Sequence, residues 1–178
     1  MWHLLDIKIA EFSVFIRTGI LTDFFLFVTS LADGVGVIFF LALVIFSFFL
    51  IGRYRAGLSI FFGTALAWCT QFLIKIMIVR PRPNFSALVE ANGYSFPSGH
   101  ALVSATLFGL VAYYLICRFK SFRQRLVIIA MALILPFLVG ISRIYLGVHW
   151  TTDVLVGWAL GLVVWGFTIW LFTAQKLK

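Results

Sequence analysis

The stretch "RFKSFRQR", residues 118–125, holds four basic residues and no acid between two long apolar runs, 99–117 and 126–142. Each run is about as long as a helix must be to cross a hydrocarbon core ~30 Å thick. A short basic loop between two such runs reads as a membrane hairpin whose turn lies in the cytoplasm, the side on which Lys and Arg accumulate. The rest of the fold is read outward from this hairpin.

"GRYR" (52–55) and the tail "KLK" (176–178) are likewise basic and free of acids. Further apolar runs occupy 34–52, 56–79 and 150–174, so the spacing predicts five spans, with the C-terminus in the cytoplasm. All six acidic residues lie in the alternating segments, and the loops 80–98 and 143–149 then face outward. Composition agrees: 63% of residues are hydrophobic and 11% charged, too apolar for a soluble domain. The expected fold is all-α, a multi-pass transmembrane helical bundle forming a single membrane-embedded domain over residues 1–178. No repeat, low-complexity tract or internal boundary interrupts it.

The segment 1–33 fits two arrangements. Arg17, Asp23 and Asp33 interrupt an otherwise apolar stretch, which either lies along the outer interface as one or two helices or makes a short, tilted sixth crossing. The cost of charge in mid-membrane favours the interfacial arrangement and five crossings. The opening "MWHLLDIKIAEF" carries Asp6, Lys8 and Glu11 and does not read as a secretory signal. The net charge of +8 is accounted for by topology, aided by anionic lipid, and does not imply a nucleic-acid partner. Cys69 and Cys117 show no C-x-x-C spacing and read as free thiols, neither disulfide nor metal ligands.

The outward loops hold the polar residues of interest. "KIMIVRPRP" places Lys75, Arg80 and Arg82 at the end of the second span, where the prolines force the chain out of helix. Arg80 alone reads equally well as an interfacial anchor, its stem in lipid and its head in water. Lys75 and Arg82 together stand on the face where positive charge is normally sparse. "FPSGH" (96–100) starts the third span: Ser98 is a favoured N-cap, Gly99 leaves backbone N–H groups open to an anion, and His100 points near the same spot. An ordinary cap beside an interfacial histidine would also account for it in isolation. "SRIYLGVHWTTD" (142–153) brings Arg143 to the end of the fourth span. It also sets His149 four residues before Asp153, on one helical face at the start of the fifth. A carboxylate so placed can hold one imidazole nitrogen and leave the other free to attack, although a purely structural His–Asp pair has the same spacing.

Lys75, Arg82, Arg143 and the amides at Ser98–Gly99 suit a dianionic phosphate, and the two histidines supply a nucleophile and an acid. No cluster of carboxylates has metal-ligand spacing, so neither a metal nor another cofactor is expected. Charge neutralisation then falls to Arg and Lys.

Taken together, these residues resemble the membrane branch of the type 2 phosphatidic acid phosphatase superfamily. Its motifs K-x6-R-P, P-S-G-H and S-R-x5-H-x3-D correspond to Lys75–Arg82–Pro83, Pro97–Ser98–Gly99–His100, and Ser142–Arg143 with His149 and Asp153. The three occur in order across residues 75–153. Small bacterial members commonly cross the membrane six times. The resemblance implies that His149 attacks phosphorus and becomes phosphohistidine while Asp153 orients it. It implies that His100 protonates the departing oxygen and then activates water, and that Lys75, Arg82, Ser98, Gly99 and Arg143 grip the phosphoryl oxygens. The implied substrate is a phospholipid or isoprenoid phosphate (phosphatidylglycerophosphate, phosphatidate or an isoprenoid diphosphate) at the outer face of the plasma or inner membrane. A phosphotransferase with the same intermediate and a non-catalytic channel or scramblase are the competing expectations.

Overall fold

The computed structural model describes residues 2–84 and 86–174. The expected cytoplasmic tail at 176–178 lies outside the described residues. Among the described residues every regular element is helical: α1 (Trp2–Phe15), α2 (Gly19–Ser30), α3 (Gly34–Leu50), α4 (Tyr54–Met77), α5 (Gly99–Ile116), α6 (Phe122–Tyr145) and α7 (Thr151–Ala174).

Helix α5 is the hub and packs on α4, α6 and α7. It is apolar all round, so it buries every face, as a helix enclosed by others must. Leu102, Leu107 and Leu110 of α5 meet Ile60 and Ala67 of α4 and Val164 of α7 in the largest core cluster. Lipid is as apolar as leucine, so hydrophobicity alone cannot draw such helices together, and close backbone approach becomes the stabilising contact. Gly157 and Gly161 provide that approach on α7. A Cβ at Gly157 would stand 2.7 Å from the Ser98 carbonyl oxygen, and one at Gly161 2.7 Å from that of Leu102. The Thr106 hydroxyl donates to the Gly161 carbonyl at 3.1 Å, across the same seam.

Four helices, α4 to α7, are long and apolar enough to cross a membrane. Helix α6 is longer at both ends than the expected 126–142, and it passes through Pro136 without a break. Helix α3, with 17 residues, meets the criterion only jointly with α2, from which it is bent by 53°. Because α4 to α7 alternate in direction, the basic 52–55 and 118–125 stretches gather at one end of the bundle. The loops 78–98 and 146–150 gather at the other.

The N-terminal segment is two helices packed against that second end, α1 on α6 and α7, and α2 on α6. Thr22 Oγ1 lies 2.9 Å from the Tyr145 hydroxyl, Thr29 accepts a hydrogen bond from Arg143, and Val28 and Ala32 pack on Val139. Helix α2 therefore runs down α6 from the loop end toward the bundle middle, where α3 continues.

Candidate active site

The C-terminal ends of α4 and α6 and the N-terminal ends of α5 and α7 meet beneath the two loops. The start of α7 shows how the chain sets its polar groups there. The Trp150 carbonyl accepts the first helical bonds, from Asp153 and Val154, and Asp153 Oδ2 accepts in return from the Trp150 amide at 2.9 Å. This is the carboxylate half of a capping box, and it holds an acid at the positive end of the helix. His149 lies in the turn before α7, so the expected shared helical face is corrected: the cap brings the two side chains together. Asp153 Oδ2 is 3.5 Å from His149 Nδ1, with the side chains 0% and 3% exposed respectively. That separation exceeds a formed hydrogen bond, and catalytic pairs without substrate commonly stand this far apart.

The other imidazole nitrogen, His149 Nε2, faces Arg82 Nη1 at 3.4 Å. Burial drives the His149 pKa down to about 4; Asp153 opposes the shift, and the positive charges of Arg143 and Arg82 add to it. The ring is therefore neutral at neutral pH. With Nδ1–H toward the carboxylate, Nε2 keeps a lone pair aimed at the cations.

Arg82 and Lys75 are held by backbone carbonyls, and Arg143 by a side-chain hydroxyl. Arg82 donates to the carbonyls of Asn92 and Val148, each at 2.8 Å, and of Gly93 at 3.1 Å. Burial lowers its pKa, with Asp153 opposing. Lys75, in the last turn of α4, donates to the Tyr94 carbonyl at 2.7 Å. Arg143, in the last turn of α6, donates to Thr29 Oγ1 at 2.6 Å, and its Nε has no protein partner.

At the head of α5 the expected capping role of the Ser98 side chain is corrected. Its Oγ makes no cap bond and, though Ser98 is 0% exposed, has no protein partner. The Ser98 amide is already used, donating to the Asp153 carbonyl at 3.0 Å, and this bond ties α5 to α7. An unspent buried hydroxyl remains at the helix start, beside the cations. A Cβ at Gly99 would displace the amide end of the Gln71 side chain of α4, which lies against it. His100, in the first turn of α5, is within electrostatic reach of His149, Arg143, Lys75 and Arg82. All eight residues singled out in the sequence thus meet at one end of the bundle. Among the described residues, no three His, Cys, Asp or Glu side chains are grouped to hold a metal ion.

Sequence reasoning missed one part of the site. Arg80 is no lipid-facing anchor: Nη1 donates to Asp153 Oδ1 at 2.5 Å and to Thr152 Oγ1 at 2.7 Å, and Nη2 donates to Asp6 Oδ2 at 2.7 Å. Its guanidinium also lies 5.5 Å from the centroid of the Trp150 ring. The only trace of this in the sequence is Asp6, one of two acids in the opening segment. Thr29 and Gln71 left no trace.

Comparison with known proteins places this geometry. Residues 56–177 match the profile of the PAP2 superfamily. Phosphatidylglycerophosphatase B of Bacillus subtilis is 45% identical over 94 residues, 52% of this chain and 46% of that protein. An undecaprenyl-diphosphatase of Sulfolobus acidocaldarius is 33% identical over 113 residues, 60% of this chain and 50% of that protein. The matched stretches thus span about half the length of these relatives. The crystal structure of a transmembrane PAP2-type phosphatidylglycerolphosphate phosphatase from Bacillus subtilis superposes with a TM-score of 0.90 at 29% identity. The match covers 99% of this chain and 87% of that one. Aquifex aeolicus LpxE shares the fold, with a TM-score of 0.71 at 24% identity over 93% of this chain and 94% of its own.

Proposed function

Since the chain belongs to the PAP2 superfamily, we propose that it is an integral-membrane phosphatase of lipid mono- or diphosphates, working through a phosphohistidine on His149. The observation that carries this reading is the two-sided setting of that ring, with Nδ1 toward the buried Asp153 and Nε2 toward Arg82.

The Nε2 lone pair attacks phosphorus in line with the departing oxygen, forming a P–N bond as the P–O bond breaks. His100, protonated once the anionic substrate lies among the cations, gives its proton to that oxygen, so the lipid leaves as an alcohol or, from a diphosphate, as a monophosphate. The phosphorylated imidazole carries positive charge, which Asp153 stabilises through Nδ1–H. Water then attacks phosphorus, giving a proton to His100, and the P–N bond breaks to release phosphate and neutral His149. Lys75, Arg82, Arg143 and the free Ser98 hydroxyl bind the equatorial oxygens, where charge builds in the transition state. Gly99 keeps the helix start open to them. The reaction needs no metal, because its electrophilic stabilisation comes from these cations.

The relatives point to phosphatidylglycerophosphate and undecaprenyl diphosphate as the first substrates to try, since these are the compounds their names carry. We read α2–α3 as one broken crossing, which with α4 to α7 makes five. The basic end is then cytoplasmic and the site opens outward, where a lipid headgroup reaches it while the tails stay in the bilayer.

The test is a phosphate-release panel across these lipids and phosphatidate, in detergent with excess EDTA, with and without an acceptor lipid. Turnover is expected to survive EDTA and to release free phosphate without an acceptor. A brief pulse of labelled substrate quenched in alkali should leave label on the parent protein and none on His149→Ala, because phosphohistidine withstands base. Substantial turnover by His149→Ala, or loss in EDTA restored by magnesium, would overturn the mechanism.

A further inference from the structure

We propose that Asp6, on the N-terminal helix, is a positioning residue for catalysis: it caps α7 and cancels the charge of Arg80, leaving that of Asp153 to act on His149. This deepens the reading of His149 as nucleophile and rests on it.

The geometry begins with an unmet need. The residue at the cap of α7 is Trp150, whose indole N–H is a donor and cannot accept from the helix amides. Asp6 supplies the missing acceptor from another helix. Its Oδ1 accepts from the Thr152 amide at 3.0 Å, and its Oδ2 accepts from the Thr152 hydroxyl at 2.6 Å and from Arg80 Nη2 at 2.7 Å. Asp6 is 1% exposed although it lies five residues from the chain start. Burial alone would push its carboxyl up, but the bonds from Thr152 and Arg80 outweigh burial and hold the pKa below the usual value. The side chain is therefore an anion at neutral pH.

Charge then decides what this anion does. Arg80 donates to Asp153 on one side and to Asp6 on the other. Were Asp6 neutral, Arg80 and Asp153 would form a pair of no net charge, with little field left for an imidazole that becomes cationic on phosphorylation. With Asp6 ionised, the trio carries one net negative charge and Asp153 can stabilise that cation. Arg80 fixes where the Asp153 carboxylate points, and Asp6 restores the charge that this fixing would remove. The other charged or titratable groups acting on His149, or on His100 beside it, are Arg82 of the loop, Arg143 of α6 and Lys75 of α4, and none is an acid. Asp6 is thus the one other acid bonded into the cluster among the described residues.

The test separates charge from capping. Asp6→Asn keeps an acceptor for the Thr152 amide but removes the charge together with the Oδ2 acceptor used by the Thr152 hydroxyl and Arg80; Arg80→Gln removes the opposing charge; the double variant removes both charges. The acid limb of kcat/KM reports the His149 proton in the free enzyme. Every variant shares the substrate's own titration, so differences between limbs belong to the protein. Loss of a neighbouring anion disfavours the protonated ring, so the Asp6→Asn limb should move down by about one pH unit. Its plateau should fall about tenfold, with KM little changed. The Arg80→Gln limb should move up by a similar amount, and the double variant should return to the parent position. Coincident limbs in all four proteins, or losses in the double variant that simply multiply, would overturn the proposal. If Asp6→Asn does not fold, as judged by gel filtration and melting in detergent, the double variant decides: a parent-like limb supports the charge balance, and an inactive or unfolded protein overturns it. An active His149→Ala protein would instead refute the nucleophile assignment itself. An inert one beside an unmoved Asp6→Asn limb would refute only this inference.

Discussion

His149 is buried as a neutral ring, and its environment makes it a poor base toward solvent while leaving Nε2 directed at the phosphate cations. That has a consequence for stability. The unfolded chain takes up a proton on this histidine below pH ~6.5, whereas the folded protein does so only near pH 4. The unfolded state therefore binds more protons in that window, and this contribution to stability is full above pH ~6.5 and lost as the pH falls toward about 4. Melting temperature in detergent should drop between those values in the parent and drop less in His149→Gln. An equal drop in both would show that the ring does not titrate this way. Asp153 is where geometry and charge meet, since one oxygen caps α7 and the other is held by Arg80. Asp153→Asn cannot serve all three partners. Its amide oxygen either caps α7 and faces His149 while the NH2 opposes Arg80, or turns to Arg80 and presents an N–H to His149 that favours the wrong tautomer. In either case the charge is lost, and kcat should fall by roughly 10²–10⁴-fold.

At the scale of elements, the site depends on how closely α5 and α7 approach. The Ser98 amide reaches the Asp153 carbonyl only because Gly157 and Gly161 let the two backbones meet. The Cβ of Gly161→Val would stand 2.7 Å from both the Leu102 carbonyl oxygen and the Ala105 methyl, with two further methyl groups to place. Overpacking of this kind typically costs about 1–3 kcal/mol. Thermal melting should register that loss, and activity should fall with it even though residue 161 lies two helical turns from Asp153. A melting curve unchanged by the substitution would show that the seam can open freely. Helices α1 and α2 are equally part of this scale. Asp6 bonds to the start of α7 and Thr29 to the end of α6, so the N-terminal pair braces two catalytic elements from outside the core.

For the whole molecule, the alternation of α4 to α7 separates a basic end from the end that holds the candidate site. With Cys69 and Cys117, both exposed, first replaced, single cysteines at Ser121 and Ala91 report the two ends. Ser121 begins α6 at the basic end, and Ala91 lies in the loop over the site. The positive-inside bias predicts that a membrane-impermeant thiol reagent labels Ala91→Cys in intact cells and Ser121→Cys only after the membrane is opened. Labelling of both from one side would overturn the five-crossing topology.

The helical membrane bundle, four of its spans to within a few residues, and the residues that gather at one end were legible in the chain alone. This is because the relevant signals are local. Hydrophobic length is read along one segment, Lys and Arg mark loops, and each motif sits at a helix terminus, so antiparallel packing must bring the motifs to a common end. The resemblance to the phosphatase superfamily rested on those same motifs, and the match over residues 56–177 bears it out. The remaining features depended on how the helices pack. Arg80 takes Asp6 as a partner 74 residues away, and Arg143 takes Thr29 at a separation of 114. The Gln71 amide lies against Gly99, and α2 and α3 break at 53° rather than forming one straight span. Such partnerships leave no period or spacing in the chain. A buried charge must be paired, but which partner it finds depends on how the helices pack.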